Sequence, residues 1–258
     1  MRPAIAALGI LLALAGCKKR EPGLPATPHP KAKLAYRVGN CVYMDLNHTG
    51  VPDRGRCFGL PGEPMLAADF DGNGTTDLAV RRGRTLLIDT ANDGQRHEMA
   101  LDLGDVRGAT HFIAADFVGN AARPAPASVT VVRGHRVRVT PTWGAVAELS
   151  FGEAAGQYFA GRWRSDGPAR LGLHQGHCVV LDEDGDSRPE TGLCYVELGP
   201  IDQVLVGDWN GDGRDDLLLR RGACVSVDTK LNGTISEKQC LGEGKRVTDY
   251  FAGSWDGK

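Results

Sequence analysis

Short apolar runs separated by acidic, glycine-rich turns recur along most of this chain. One clear unit begins with Val204-Leu205-Val206, crosses the polar stretch from Asp208 to Asp216 and resumes as Leu217-Leu218-Leu219. It turns at Arg220-Arg221-Gly222 into Cys224-Val225-Ser226-Val227, then reaches Lys238-Gln239-Cys240 through a second polar loop. Runs this short, rich in Val and Leu and bounded by Gly, Asp and Asn, read as β-strands, and no segment carries a convincing helical period. The pattern predicts an all-β domain whose unit holds four strands.

The unit repeats. Asp69-Phe70-Asp71-Gly72-Asn73-Gly74 and Asp208-Trp209-Asn210-Gly211-Asp212-Gly213 are two copies of one loop. Its aromatic position recurs at Phe70, Phe117, Trp163, Trp209 and Trp255, in steps of 47, 46, 46 and 46 residues. Four-stranded units of about 40 to 50 residues in series are the signature of a β-propeller. The second-strand pattern opens the domain at Leu34-Ala35-Tyr36-Arg37-Val38-Gly39 and recurs before Gly83, Gly134, Gly176 and Gly222. The last segment, Tyr250 to Trp255, is a first strand without its own followers. The expected architecture is therefore a five-bladed β-propeller closed by pairing of the N- and C-terminal strands, which leaves no open sheet edge at the seam. Strand alternation then puts loops one-to-two and three-to-four on one face, and the two-to-three turns on the other.

Residues ahead of the repeats point to export. The apolar run from Ala4 to Ala15 is too short to span a bilayer and follows Arg2, as in a signal peptide. Leu14-Ala15-Gly16-Cys17 resembles the lipobox of bacterial lipoproteins. That resemblance implies a signal peptide over 1–16, acylation of Cys17 and stable membrane anchoring. Lys18 rather than Asp after the cysteine favours the outer membrane. Residues 17–33, with four prolines, read as an extended tether ahead of a propeller spanning 34–258. The net charge of −2 suggests no nucleic-acid partner, and a monomeric ring is expected.

With Cys17 assigned to lipid, six of the seven cysteines remain: Cys41, Cys57, Cys178, Cys194, Cys224 and Cys240. Each successive pair is 16 residues apart, and the equivalent places in the other two units, Thr85 with Leu101 and Arg136 with Gly152, lack both cysteines together. Joint presence and joint absence predict three disulfides within units, in keeping with an oxidising compartment. No CxxC spacing suggests zinc, and His174-Gln175-Gly176-His177 falls on a turn without a third ligand.

Candidate chemistry lies in the acidic loops. Asp69, Asp71, Asn73 and Asp77 stand at offsets 1, 3, 5 and 9, and Asp208, Asn210, Asp212 and Asp216 repeat the spacing. Calcium takes six to eight hard oxygen ligands, and alternating acidic positions in a tight turn aim their oxygens at one centre. Carbonyl groups of Thr75 and Arg214 would fill offset 7. An EF-hand is excluded, because strands flank the loop and the glutamate at offset 12 is missing. These loops resemble the FG-GAP and VCBS repeats, the first of which builds the calcium-bearing propeller of integrin α subunits. The resemblance implies calcium at Asp69, Asp71, Asn73, Thr75 and Asp77, and at Asp208, Asn210, Asp212, Arg214 and Asp216. Its ring has seven blades; tachylectin-type lectins use five units of similar length.

A second loop class lies inside two cysteine pairs: Asp45, Asn47, Thr49 and Asp53, then Asp182, Asp184, Asp186 and Glu190. Both a calcium site and a plain polar hairpin fit that spacing. On the opposite face Arg81, Arg82, Arg84, Arg133, Arg136, Arg220 and Arg221 form either solvated turns or a platform for phosphate or carboxylate groups. The repeat aromatics fit inter-blade packing, while Trp143, without a counterpart, and Trp163, in a loop that has lost its metal ligands, are candidate ligand platforms. The leading expectation is a calcium-stabilised, lipid-anchored envelope module presenting loops to a glycan or protein. A propeller glycosidase and a structural subunit of an envelope assembly are the alternatives, and no catalytic motif is apparent.

Overall fold

The structure is a computed structural model that describes residues 31–119, 123–141, 146–152 and 155–257. The signal peptide, Cys17, most of the tether and Trp143 lie outside the described residues. Five four-stranded antiparallel sheets form a five-bladed propeller, with one 3-10 turn at Val196–Leu198 and no α-helix among the described residues. Blade I consists of Tyr250–Gly253, Lys33–Val38, Cys41–Met44 and Arg54–Cys57. Blade II is Met65–Ala68, Asp77–Arg82, Thr85–Asp89 and Met99–Asp102; blade III is His111–Ala115, Ser128–Arg133, Arg136–Thr140 and Ala147–Ser150. Blade IV is Gln157–Gly161, Arg170–Gln175, Cys178–Leu181 and Thr191–Cys194; blade V is Gln203–Gly207, Asp216–Arg221, Cys224–Asp228 and Glu237–Cys240.

The ring closes as expected. Leu34 pairs with Ala252 and Tyr36 with Tyr250, so the two ends of the domain make one sheet. First strands line the axis and touch their neighbours. They end in small residues because blades converge there: a Cβ on Gly161 would collide with Val206 and Trp163, and one on Gly207 would meet the Ala32 methyl at 2.6 Å. Second strands are buried on both faces, as Leu217, Leu218 and Leu219 show, whereas fourth strands are largely solvent-facing.

Five apolar cores lie between blades, and each holds one repeat aromatic. Trp209 of blade V packs with Leu34 and Tyr36 of blade I, and Trp255 of blade I with Leu78 and Val80 of blade II. Phe70 meets Val129 and Val131 of blade III. Trp163 follows the same rule, against Leu217 and Leu219 of blade V. At 3% exposure it is a core residue, which corrects its reading as a ligand platform: losing the metal ligands around it does not free it from the inter-blade seam.

A ring of backbone hydrogen bonds ties the blades together near the axis. The residue before each second strand donates its N–H to the carbonyl of the residue before the preceding blade's repeat aromatic. Ala32 donates to Asp208, Thr76 to Ser254, Ala127 to Asp69, Ala169 to Asp116 and Asp215 to Arg162, over 2.6 to 2.7 Å. The repeat thus encodes the closure of the ring as well as the blade.

Disulfides join Cys41 to Cys57, Cys178 to Cys194 and Cys224 to Cys240, directly across strands three and four. The equivalent cross-strand pairs elsewhere are Thr85 with Asp102 and Arg136 with Ser150, not with Leu101 and Gly152. A constant spacing of 16 misplaces them because the hairpins of blades II and III span 17 and 14 residues, 102 − 85 and 150 − 136.

Candidate metal centre

Each acidic loop is organised by its first aspartate. Asp69 accepts the N–H groups of Gly72 and Asn73 on Oδ1 and of Gly74 on Oδ2, at 2.7, 3.1 and 2.8 Å. Asp208 does the same with Gly211, Asp212 and Gly213, at 2.6, 3.0 and 2.8 Å. Such turns need left-handed backbone, supplied by Gly72 and Gly74 at φ 80° and 85° and by Gly211 and Gly213 at 81° and 87°. The closing aspartate locks the loop from the other end. Asp77 accepts Phe70 N–H at 2.8 Å, and Asp216 accepts Trp209 N–H at 2.7 Å.

In blade II this folding brings carboxylates together without a counter-charge, whereas in blade V Asp212 is paired with Arg214 at 3.4 Å. One ligand oxygen from each of Asp69, Asp71 and Asp77 lies within 4.8 Å of the others. Among the described residues no Lys or Arg is ion-paired to Asp69, Asp71, Asp77, Asp208 or Asp216. Burial, reinforced by the neighbouring loop carboxylates, pushes Asp77 and Asp216 up to about 7, and burial also raises Asp69. A divalent cation would relieve both effects. Asn73 and Asn210 face the carboxylates, bonding through Nδ2 to Asp71 and Asp212, and Thr75 and Arg214 follow in the loops. The donor set is all oxygen, which fits calcium.

The outer loops are built alike. Asp45 is fully buried and accepts Thr49 and Gly50 N–H, while Asp53 accepts Leu46 N–H and Asn47 Nδ2. Asp182, Asp184, Asp186 and Glu190 bring ligand oxygens within 4.8 Å of one another, whereas the blade I loop holds only two carboxylates, Asp45 and Asp53. Asp89, Asp93 and Glu98 of blade II form a further cluster. Inspection limited to cysteine-bounded loops passes over it, although Asp89 ends strand three where the repeat places Asp228. First aspartates here also bridge blades: Asp45 accepts Gln239 Nε2 at 2.5 Å, and Asp228 accepts the Tyr195 hydroxyl at 2.9 Å.

Aligning the loops exposes a substitution pattern at the axis. Asp69, Asp116, Arg162, Asp208 and Ser254 occupy the opening position, and all five line an axial recess of about 270 Å³. Asp77, Ser128, Arg170, Asp216 and Lys33 open the second strands, at the closing position. Blade IV thus carries arginine at both positions. In blade I Lys33 is ion-paired with Asp256, which stands where Asp71 stands in blade II. Arg162 reaches Asp116 at 3.5 Å and donates its backbone N–H to Asp215 at 2.7 Å. Burial raises Asp215, against the pull of Arg162.

The arginine face is mostly self-satisfied. Arg81 lies over the Phe112 ring at 4.3 Å and caps Gly83 O; Arg220 lies over Tyr250 at 4.5 Å and caps Gly222 O. Arg82 pairs with Glu63, Arg84 with Asp102, and Arg221 donates to Leu198 O. These side chains act as turn clamps, which removes them from a general basic platform. His174 is bound likewise to Gly176 O at 3.0 Å.

No protein-family model and no curated protein matches the chain. Among solved structures, BBS1N in complex with ARL6DN, soaked with mercury, is similar with a TM-score of 0.43 at 13% identity, covering 81% of this chain and 63% of that one. An Agrocybe aegerita lectin that recognises non-reducing terminal N-acetylglucosamine gives 0.44 at 17% identity, covering 78% and 60%. A Bacteroides caccae protein of unknown function gives 0.48 at 10% identity, covering 86% and 98%. The chain therefore spans less than two thirds of the length of the first two. At these identities the likeness concerns the fold alone.

Proposed function

We propose that this chain is a calcium-stabilised, lipid-anchored module of the bacterial cell envelope, of FG-GAP/VCBS type, that presents propeller loops to a glycan or protein. The observation carrying the calcium part is the uncompensated carboxylate set of blade II, whose spacing blade V repeats with Asp212 held by Arg214, beside blades I and IV where lysine and arginine occupy the same positions. The lipid anchor rests on the sequence around Cys17, with the outer membrane as its destination. Four acidic hairpins and two axial loops share one face, so metal would rigidify a single surface for binding. A role as a structural subunit of an envelope assembly uses that same surface with a protein as its partner.

The test is a calcium titration of chelator-treated protein followed by a glycan array run with and without calcium. Saturable binding of two ions, lost in Asp77→Asn/Asp216→Asn, together with calcium-dependent retention of a glycan or an envelope protein, is the expected result. Absence of calcium binding would sink the proposal. One observation favours the enzymatic alternative: Arg162 and Asp215, which do not repeat, converge with Asp116 on the axial recess. Polysaccharide cleavage abolished by Asp215→Asn would establish that reading instead.

A further inference from the structure

Blade III breaks the repeat in a way the fold does not require. At the strand-three position where blades I, IV and V place a disulfide cysteine it has Arg136, opposite Ser150. Across the other ladder Arg136 lies directly opposite Arg133, and Arg138 follows two residues on, on the same face of the strand. Like charges placed opposite each other in an antiparallel pair are destabilising. Three guanidinium groups nevertheless line one groove of about 310 Å³, beside Glu148 and Ser150.

Their heads are poised differently from those of the turn clamps. Arg133 is held from behind, donating Nε to Arg107 O at 2.9 Å and Nη2 to Asp105 O. Arg138 reaches Asp105 O at 3.4 Å, and its Nε is enclosed without a partner among the described residues. The Arg136 side chain is exposed and makes no hydrogen bond or ion pair among the described residues. Nearby acids leave the groove positive: Asp105 is engaged by Arg107 and stands 4.0 Å from Arg133, and Glu148 is exposed on the rim.

We infer that this groove is an oxyanion site for a phosphate group on a partner molecule, with Arg136 and Arg138 as the binding donors and Arg133 as a fixed third charge. Guanidinium forks match the tetrahedral oxygens of phosphate and form the stronger class of charge-assisted hydrogen bond. A bound dianion would also cancel the Arg133–Arg136 repulsion, accounting for a pair that otherwise only costs stability. The site lies on the turn face, away from the acidic loops, and does not depend on calcium.

The experiment is a titration of the full chain with inorganic phosphate, a sugar phosphate monoester and a glycerophosphodiester, followed by amide NMR shifts. Shifts should saturate in the millimolar range or tighter and centre on residues 131–138 and 148–150. Arg136→Ala should weaken binding about tenfold, and Arg136→Lys should recover part of it. Arg84→Ala, on the same face but paired with Asp102, should leave binding unchanged. Tighter binding of the monoester assigns the site to a phosphorylated sugar or free phosphate, and tighter binding of the diester to a lipid headgroup. Absence of saturation, or equal affinity in Arg136→Ala with its fold intact by circular dichroism, overturns the proposal.

Discussion

Blades II and I solve the same problem with opposite chemistry. Both must pin a loop between strands one and two against the axis, and both donate to the ring of inter-blade hydrogen bonds. Blade II does so with Asp69, Asp71 and Asp77, crowded carboxylates whose proposed counter-charge is a calcium ion from solution. Blade I has Ser254 and Lys33 at the two ends and pairs Lys33 with Asp256, so its cation is part of the chain. Blade V repeats the acidic spacing of the first but pairs Asp212 with Arg214, and blade IV, with Arg162 and Arg170, leans to the second. On the proposed calcium reading, the repeat fixes the place of a positive charge and leaves its source free to vary. Blade I is also the seam of the ring, and there the cation is a residue of the chain.

The largest effect should come from removing calcium. With each site near saturation at about 100 times its dissociation constant, chelation lowers stability by about 3 kcal/mol per site. Hydrogen exchange should then rise in residues 69–77 and 208–216, while 254–257 and 162–170 change little. Uniform acceleration across all four loops would erase the contrast between blades. A pH signature accompanies this. Asp77 and Asp216, at about 7 in the metal-free fold against an ordinary value of 3.8, hold protons that the unfolded chain has already released. Metal-free stability should therefore fall as pH rises from about 4 to about 7, and Asp77→Asn/Asp216→Asn should flatten that slope. Calcium displaces the same protons, so its stabilisation should grow with pH over this window. A metal-free protein whose stability rises there, unaltered by the double substitution, would contradict the carboxylate crowding.

Next in size is Lys33→Ala. The lysine is only 6% exposed and its partner Asp256 is largely buried, so truncation breaks a mostly buried ion pair. Breaking such a pair costs about 3 kcal/mol, read as a lower denaturation midpoint with or without calcium. If chelation already removed the Lys33 contribution, the two blades would not be independent.

How far these blades could be distinguished beforehand follows from where each signal sits. Apolar spacing, the aromatic step and the paired cysteines are local or periodic, so five blades, their closure and three disulfides could be read directly. Lys33 could not, because in the chain it abuts a proline-rich tether and meets Asp256 only after 222 intervening residues are folded. Trp163 misled for a related reason: its neighbours had lost their acidic pattern, yet its own burial is set by Leu217 and Leu219 on the next blade. The arginines on the turn face read as a single patch in sequence, but Arg81 and Arg220 are absorbed by rings and carbonyl groups from distant segments. The cluster Asp89, Asp93 and Glu98 escaped a fixed spacing because its hairpin is one residue longer than those closed by disulfides.

The smallest expected effect compares the repeat tryptophans of blades V and IV. Both are buried, at 5% and 3% exposure, but Trp209 Nε1 donates to Glu237 at 3.0 Å whereas Trp163 Nε1 has no partner among the described residues. Its cross-strand equivalent, where Glu237 stands in blade V, is Thr191, which is turned to Glu183. Phenylalanine at either position keeps most of the apolar packing and deletes the donor. Trp209→Phe loses a charge-assisted bond and should cost about 2 kcal/mol, while Trp163→Phe also removes an unsatisfied buried N–H and should cost about 1 kcal/mol less. Urea denaturation of the two variants measures that difference. Equal losses would mean that Trp163 Nε1 finds a partner in solution, and blade IV would then differ from blade V only in its charges.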